Sequence, residues 1–332
     1  MVRLKDIADA CGVSVATVSR ALNGLTNENK ERTAFICQTA REMGYYPNAA
    51  ARTLKTSRSN NIGILYENRM NHEYFSSLLD ELRSAADVRG YDLTLIGRNN
   101  SRTGETYYDH ARRRNLDGII VIQADFESQD VIRLAGSEIP TVVIDHAYEG
   151  CDCVSNDNRG SVERIVRFAF DRGHRKIAFI TGQESAVKRE RLAGFLRSCR
   201  ELDLSIPEGF VREGHFHDPE RCTALVRELL NGAEKPTCIL CPDDYSCLGA
   251  LWDLKAEGIR IPEDISLIGY DGVRMGRMIR PMLTTYRQDT EAIAREAVGL
   301  LIEAIETPEA HKPRQITVEG KLAEGETLSD LN

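Results

Sequence analysis

Along the first 60 residues of this 332-residue chain, apolar positions recur three and four apart, the spacing of one helix face. Leu4, Ile7, Ala8 and Cys11 share such a face, and Gly12 is a natural stop. Ser14 then stands where an N-cap belongs, ahead of a helix 15–23 with Val18 and Leu22 facing inward. A third helix, capped by Asn27, is predicted from Glu28 to about Met43, ending at Gly44. After Tyr45-Tyr46-Pro47, the patch from Asn48 to Lys55 spells about two helical turns and runs into polar residues 56–61. So short a helix is marginal in water, and it reads as a hinge that orders when something holds it.

From Asn61 the pattern changes to strands alternating with amphipathic helices. Strands are predicted at 62–66, 93–96, 118–123, 141–145, 176–181, 210–214, 237–241 and 265–269. Helices at 74–89, 104–114, 127–136, 158–172, 189–202, 218–231 and 245–257 fall between or beside them. Repeated βα units predict parallel sheets, and this many predict two sheets or one wide one. The halves echo each other: "LDGIIVIQAD" with "IPTVVIDH", and "PTCILCPDD" with "IPEDISLIGYD", each give a strand ending in an acid, then Ile-Pro, then a strand ending in Asp. The echo implies two similar lobes.

The apolar runs are strand-sized, far short of the ~20 residues that cross a bilayer. The N-terminus lacks a long apolar stretch with a cleavage site, so the protein is expected to stay in the cytoplasm. Nine scattered cysteines fit reduced core thiols, and neither Cys238-Ile-Leu-Cys241 nor His215-Phe216-His217 has the further ligands of a metal site. Net charge is −8, yet residues 1–60 carry +4 and the remainder −12. A basic head on an acidic body implies that the head alone approaches a polyanion, since exposed charges beyond ~10 Å are screened.

In open α/β sheets ligands bind beyond the carboxyl ends of the strands. Asp125, Asp145, Asp243, Asp244 and Asp271 all follow strand-like runs, so several carboxylates are expected in one cleft. Asp after a strand is also a common cap or turn residue, and the cleft reading rests on recurrence in both halves. Arg189 and Arg191 open a helix, and Phe216 either stacks on a ligand ring or plugs the core. Carboxylates, arginines and an aromatic platform suit a polyhydroxylated ligand. No nucleophile elbow, metal-binding His pair or Gly-rich phosphate loop is present, so no catalytic residue, metal or cofactor is assigned.

The stretches "LKDIADACGVSVATVSRALNG" and "YYPNAAARTLK" closely resemble the DNA-binding head and hinge of the lactose-repressor family. The likeness continues through "RGHRKIAFITG", "RERLAGF", "IPEDISLIGYDG" and "PMLTTYRQD", and so covers essentially the whole chain. It implies an all-α helix-turn-helix head (1–46), a hinge helix and linker (47–60), and a periplasmic-binding-protein-like α/β body (61–332). The implied lobes are about 61–157 with 288–315, and 158–287 with 316–328. It further implies that helix 15–23 lies in the major groove, with Val15, Ala16 and Arg20 toward base edges and Ser14, Thr17 and Ser19 near phosphates. Leu54 matches the hinge leucine that wedges into the minor groove, with Arg52 and Lys55 beside the backbone.

In the body, the resemblance puts Tyr74, Phe75, Asp145, His146, Arg189, Arg191, Phe216 and Asp271 at effector-pocket positions. Two departures bear on the ligand: Pro242-Asp243-Asp244 stands where the family usually has Ala-Asn-Asp, placing Asp243 where an amide is usual, and Gly325 replaces a common arginine. The chain stops at Asn332 without a leucine-heptad tail, which implies a dimer. The expected protein is a homodimeric repressor of a palindromic double-stranded DNA operator, controlled by a small-molecule effector taken as a sugar. A purine-like corepressor is the alternative within the class. A solute-binding protein shares only the body, and an α/β enzyme with a grafted head would turn its ligand over.

Overall fold

The computed structural model describes residues 2–22, 30–46, 58–67, 72–97 and 104–332. The chain divides into two compact units between Ser59 and Asn60. In the first, helices Leu4–Cys11, Val15–Leu22 and Lys30–Glu42 enclose Ile7, Ala8, Val18, Ala21, Ile36 and Ala40. Gly12 turns the chain between the first two at φ 63°, a conformation open to glycine without cost. The Ser14 hydroxyl accepts the Thr17 N–H at 3.1 Å and so caps the second helix. The cap expected at Asn27 and the hinge residues Arg52, Leu54 and Lys55 lie outside the described residues.

The described part of the second unit carries two sheets. β1 (Asn61–Leu65), β2 (Asp92–Ile96), β3 (Gly118–Val121), β4 (Thr141–Ile144), β5 (Asp152–Asn156) and β11 (Gln315–Val318) form one, ordered β11-β5-β4-β3-β1-β2 and parallel throughout. β6 (Ile177–Thr181), β7 (Val211–Glu213), β8 (Cys238–Leu240), β9 (Ser266–Asp271), β10 (Thr284–Arg287) and β12 (Lys321–Ala323) form the other, ordered β12-β10-β9-β8-β6-β7. Its β10 and β12 are antiparallel. Strand residues alternate between faces: Ile62, Ile64 and Ile120 pack under one helical layer and Leu65, Ile119 and Val121 under another. Burial on both faces is why these strands read as unbroken apolar runs. Among the described residues no helix is long and apolar enough to cross a membrane.

Among the departures from the sequence reading, two concern the first sheet. Residues 316–318, placed there with the second lobe, pair instead with β5 in the first sheet, and the chain crosses over after Val318. Ile316 and Val318 pack into the first lobe's core, which fixes that choice. β5 itself goes unpredicted because DCVSN has no apolar run. The buried Asp152 carboxylate bonds the His311 ring at 2.6 Å and the Arg314 N–H at 2.8 Å, which permits an acid inside the strand.

Candidate functional sites

A cleft of about 590 Å³ opens between the two sheets, beyond their carboxyl ends. It is lined by Tyr74, Asp145, His146, Arg189, Arg191, Phe216, Asp243 and Asp271, all expected from the sequence. Phe75 does not line it, correcting that expectation. One residue beyond Tyr74 it points about 100° round the helix, into the first core, stacked on Tyr66 at 3.6 Å. Asp125 reaches the rim, whereas Asp244 is buried beneath the floor. The Asp244 carboxylate accepts the Gly272 and Val273 N–H groups, each at 2.8 Å, and the Thr285 hydroxyl at 2.6 Å, so it holds the turn that presents Asp271.

Arg191 is the buried cation of the site. Its Nε donates to Asn158 Oδ1 at 2.9 Å and its Nη1 to the Pro242 carbonyl at 3.0 Å. Asp145 accepts the Asn156 N–H at 3.0 Å, and Asp271 accepts Gln288 Nε2 at 2.7 Å. Burial raises both carboxyls above their ordinary range; for Asp271 the nearby Asp243 and Asp244 add to it, and Arg191 opposes it in both. Both also hold positive φ, 61° at Asp145 and 118° at Asp271. Such strain in non-glycine residues concentrates at functional sites.

Asp243 is largely committed to structure. It caps the helix Asp244–Ala256 through the Ser246 N–H at 2.8 Å and also accepts the His217 N–H at 2.8 Å. The cleft includes residues that sequence reasoning missed, among them His72, Phe126, His217 and Gln288. His72 comes from the first lobe and His217 from the second, and their rings stack at 3.7 Å. Burial, then the neighbouring His217, pushes His72 down to about 4, and burial lowers His217. Phe126 stacks on His146 at 4.5 Å, giving the first lobe an aromatic surface opposite Phe216. Phe126, adjoining Asp125, His217, adjoining Phe216, and Gln288, inside the quoted "YRQD", had a visible signal, and His72 had none.

On the head, Ser14, Val15, Ala16 and Arg20 are exposed, and Thr17 and Ser19 half-buried, around the buried Val18. Val15 is 43 % exposed and so is free to meet a partner surface. Ser14 Oγ also bonds Thr17 Oγ1 at 2.9 Å, and Arg20 Nε reaches back to the Ala16 carbonyl at 3.4 Å.

Residues 3–48 match the model for bacterial regulatory proteins of the lacI family, and residues 166–328 that for a periplasmic binding protein-like domain. The chain is 31 % identical over 339 residues to the HTH-type transcriptional repressor PurR of Vibrio cholerae, covering 100 % of this chain and 99 % of the relative. The PurR of Pectobacterium carotovorum is 30 % identical over 337 residues, covering 99 % and 98 %. The lac repressor dimer bound to operator and the anti-inducer ONPF aligns with a TM-score of 0.81 at 24 % identity, over 99 % of both chains. A CelR–cellobiose complex aligns at 0.70 and 26 % identity, over 98 % of this chain and 100 % of the other.

Proposed function

The chain belongs to the lacI family of bacterial regulatory proteins, DNA-binding transcriptional repressors that answer to a small molecule, and from that premise we propose that the cleft holds a sugar whose binding releases the operator. The observation that carries the ligand class is the pairing of hydroxyl-binding groups with flat apolar faces. Asp145, Asp271, Gln288 and Arg191 offer acceptors and donors, while Phe216 and Phe126 flank them. A sugar ring presents hydroxyls at its edge and C–H groups on its face, so it matches both.

In this reading the protein acts in the cytoplasm as a homodimer on a palindromic operator. The head is residues 1–46 and the hinge 47–60. Val15 and Ala16 read shape and thymine methyls, Arg20 reads a guanine edge, and Ser14, Thr17 and Ser19 stand by phosphates. Leu54 wedges into the minor groove, where unstacking is offset by contacts that bending allows, and Arg52 and Lys55 stand beside the DNA backbone. Lobe closure on the ligand shifts the equilibrium away from the hinge pairing that DNA requires.

A thermal-shift panel of mono- and disaccharides and purines tests the ligand class. A true effector at 100 times its Kd stabilises the fold by ~2.7 kcal/mol. The positive ligand is then added to protein bound to an operator selected from random DNA, and release is read by anisotropy. Phe216 with Arg191 5.5 Å from its ring also fits a planar purine, so a response to purines alone, with tighter DNA binding, selects corepression instead.

A further inference from the structure

Resting on the reading that the cleft closes on an effector, we propose that Glu73 is a positioning residue for that closure: together with His72 it clasps the second lobe from the first, although Glu73 itself does not line the cleft. The chain crosses between the lobes after Asn156, between Arg287 and Thr290, and after Val318. Two lobes joined in this way open and close by rotating about the joining segments. A contact made between them anywhere else has to break when they open, and His72 and Glu73 both make one.

The helix Arg274–Met278 of the second lobe begins at Val273, whose side chain cannot cap it. The missing cap comes from the other lobe. Glu73 Oε1 accepts the Arg274 N–H at 2.7 Å and Oε2 the Met275 N–H at 3.2 Å, so one carboxylate meets two N–H groups that the helix leaves free. A negative charge also suits a helix start. One residue earlier, the His72 ring stacks on His217 of the second lobe.

Both ends of the clasp adjoin ligand-facing groups. Glu73 precedes Tyr74, which lines the cleft and whose hydroxyl donates to Gln288 Oε1 at 3.3 Å. Arg274 follows the turn of Asp271, Gly272 and Val273, and Gln288 donates to Asp271 at 2.7 Å. Seating Glu73 on the helix start therefore holds Tyr74 and Asp271 in one arrangement across the cleft. When the lobes part, Val273 offers no substitute, and the two N–H groups go to water.

The test needs no ligand. Hydrogen exchange by mass spectrometry and small-angle X-ray scattering are run on the full-length protein, on Glu73→Ala and on Glu73→Gln. Glu73→Ala is expected to speed exchange in the peptide holding Arg274 and Met275 about tenfold, the scale of a lost helix cap, and to enlarge the radius of gyration, with exchange in residues 118–144 unchanged. Glu73→Gln keeps one acceptor oxygen at the same reach. It is expected between wild type and Glu73→Ala in both measurements, and it decides the matter if Glu73→Ala does not fold. Faster exchange at an unchanged radius would make Glu73 a local helix cap with no part in closure, and no change in either would mean that other contacts hold the lobes; both results overturn the proposal. Since no sugar enters these measurements, failure of the sugar panel is a separate result.

Discussion

The guanidinium carbon of Arg191 lies 3.4 Å from the centroid of the Tyr270 ring. Stacking on that ring while donating to Asn158 and Pro242 fixes the orientation of the guanidinium fork, which a lysine ammonium cannot reproduce. Arg191→Lys keeps the charge and loses the plane. Ligand affinity measured by calorimetry is expected to fall by ~1.5–3 kcal/mol, the scale of a hydrogen bond to a charged group, while operator affinity without ligand is unchanged. An affinity equal to wild type would leave Arg191 a purely structural role.

Gly182 lies against Phe216 so closely that an added Cβ would stand 2.1 Å from Cε2 of that ring. Gly182→Ala must therefore move the platform. Overpacking of this kind costs ~1–3 kcal/mol, and here part of the strain is relieved by swinging the half-buried ring into the cleft. The expected result is a lower ligand affinity with a modest drop in Tm. A Tm drop with unchanged affinity would remove Phe216 from ligand contact.

Much of this was legible because both periods are strong. The head's inward residues Ile7, Ala8 and Val18 repeat at helical spacing, and the parallel strands bury both faces, so each period marks its element. β5 escaped because its stability comes from bonds of Asp152 to His311 and Arg314, about 160 positions away along the chain. Phe75 was misplaced because carry-over by motif assigns adjacent residues together, whereas successive helical side chains diverge. The His72–His217 stack joins residues from different lobes, and no local pattern announces a contact of that separation.

That histidine pair gives a pH dependence with a definite sign. His72 falls from an ordinary 6.5 to about 4 in the folded protein, chiefly through burial. Its Nδ1 accepts the Phe75 N–H at 3.4 Å, so the neutral ring carries its proton on Nε2. Below pH 6.5 the unfolded chain takes up a proton that the native state refuses. Folding stability from this group is therefore complete above 6.5 and is lost as pH falls toward 4. Denaturation of wild type and His72→Gln across that range isolates the contribution: wild type should lose stability relative to the variant as the solution is acidified. Parallel curves would mean that His72 titrates normally.

On the head, Ser14 and Arg20 are predicted to fail in different ways. Ser14 Oγ is already engaged with the Thr17 N–H, so Ser14→Ala removes a helix cap worth ~0.5–2 kcal/mol and weakens binding to every DNA sequence alike. Arg20 is exposed and makes a long bond to the Ala16 carbonyl through Nε, and its Nη donors point the prediction to a base edge. Arg20→Ala is expected to cost ~1–3 kcal/mol at one base pair of each half-site and to relax the preference there. Binding of both variants to an operator library with every position varied separates the two: a flat loss for Arg20→Ala would assign that side chain to phosphate, and a loss confined to one position for Ser14→Ala would assign it to a base.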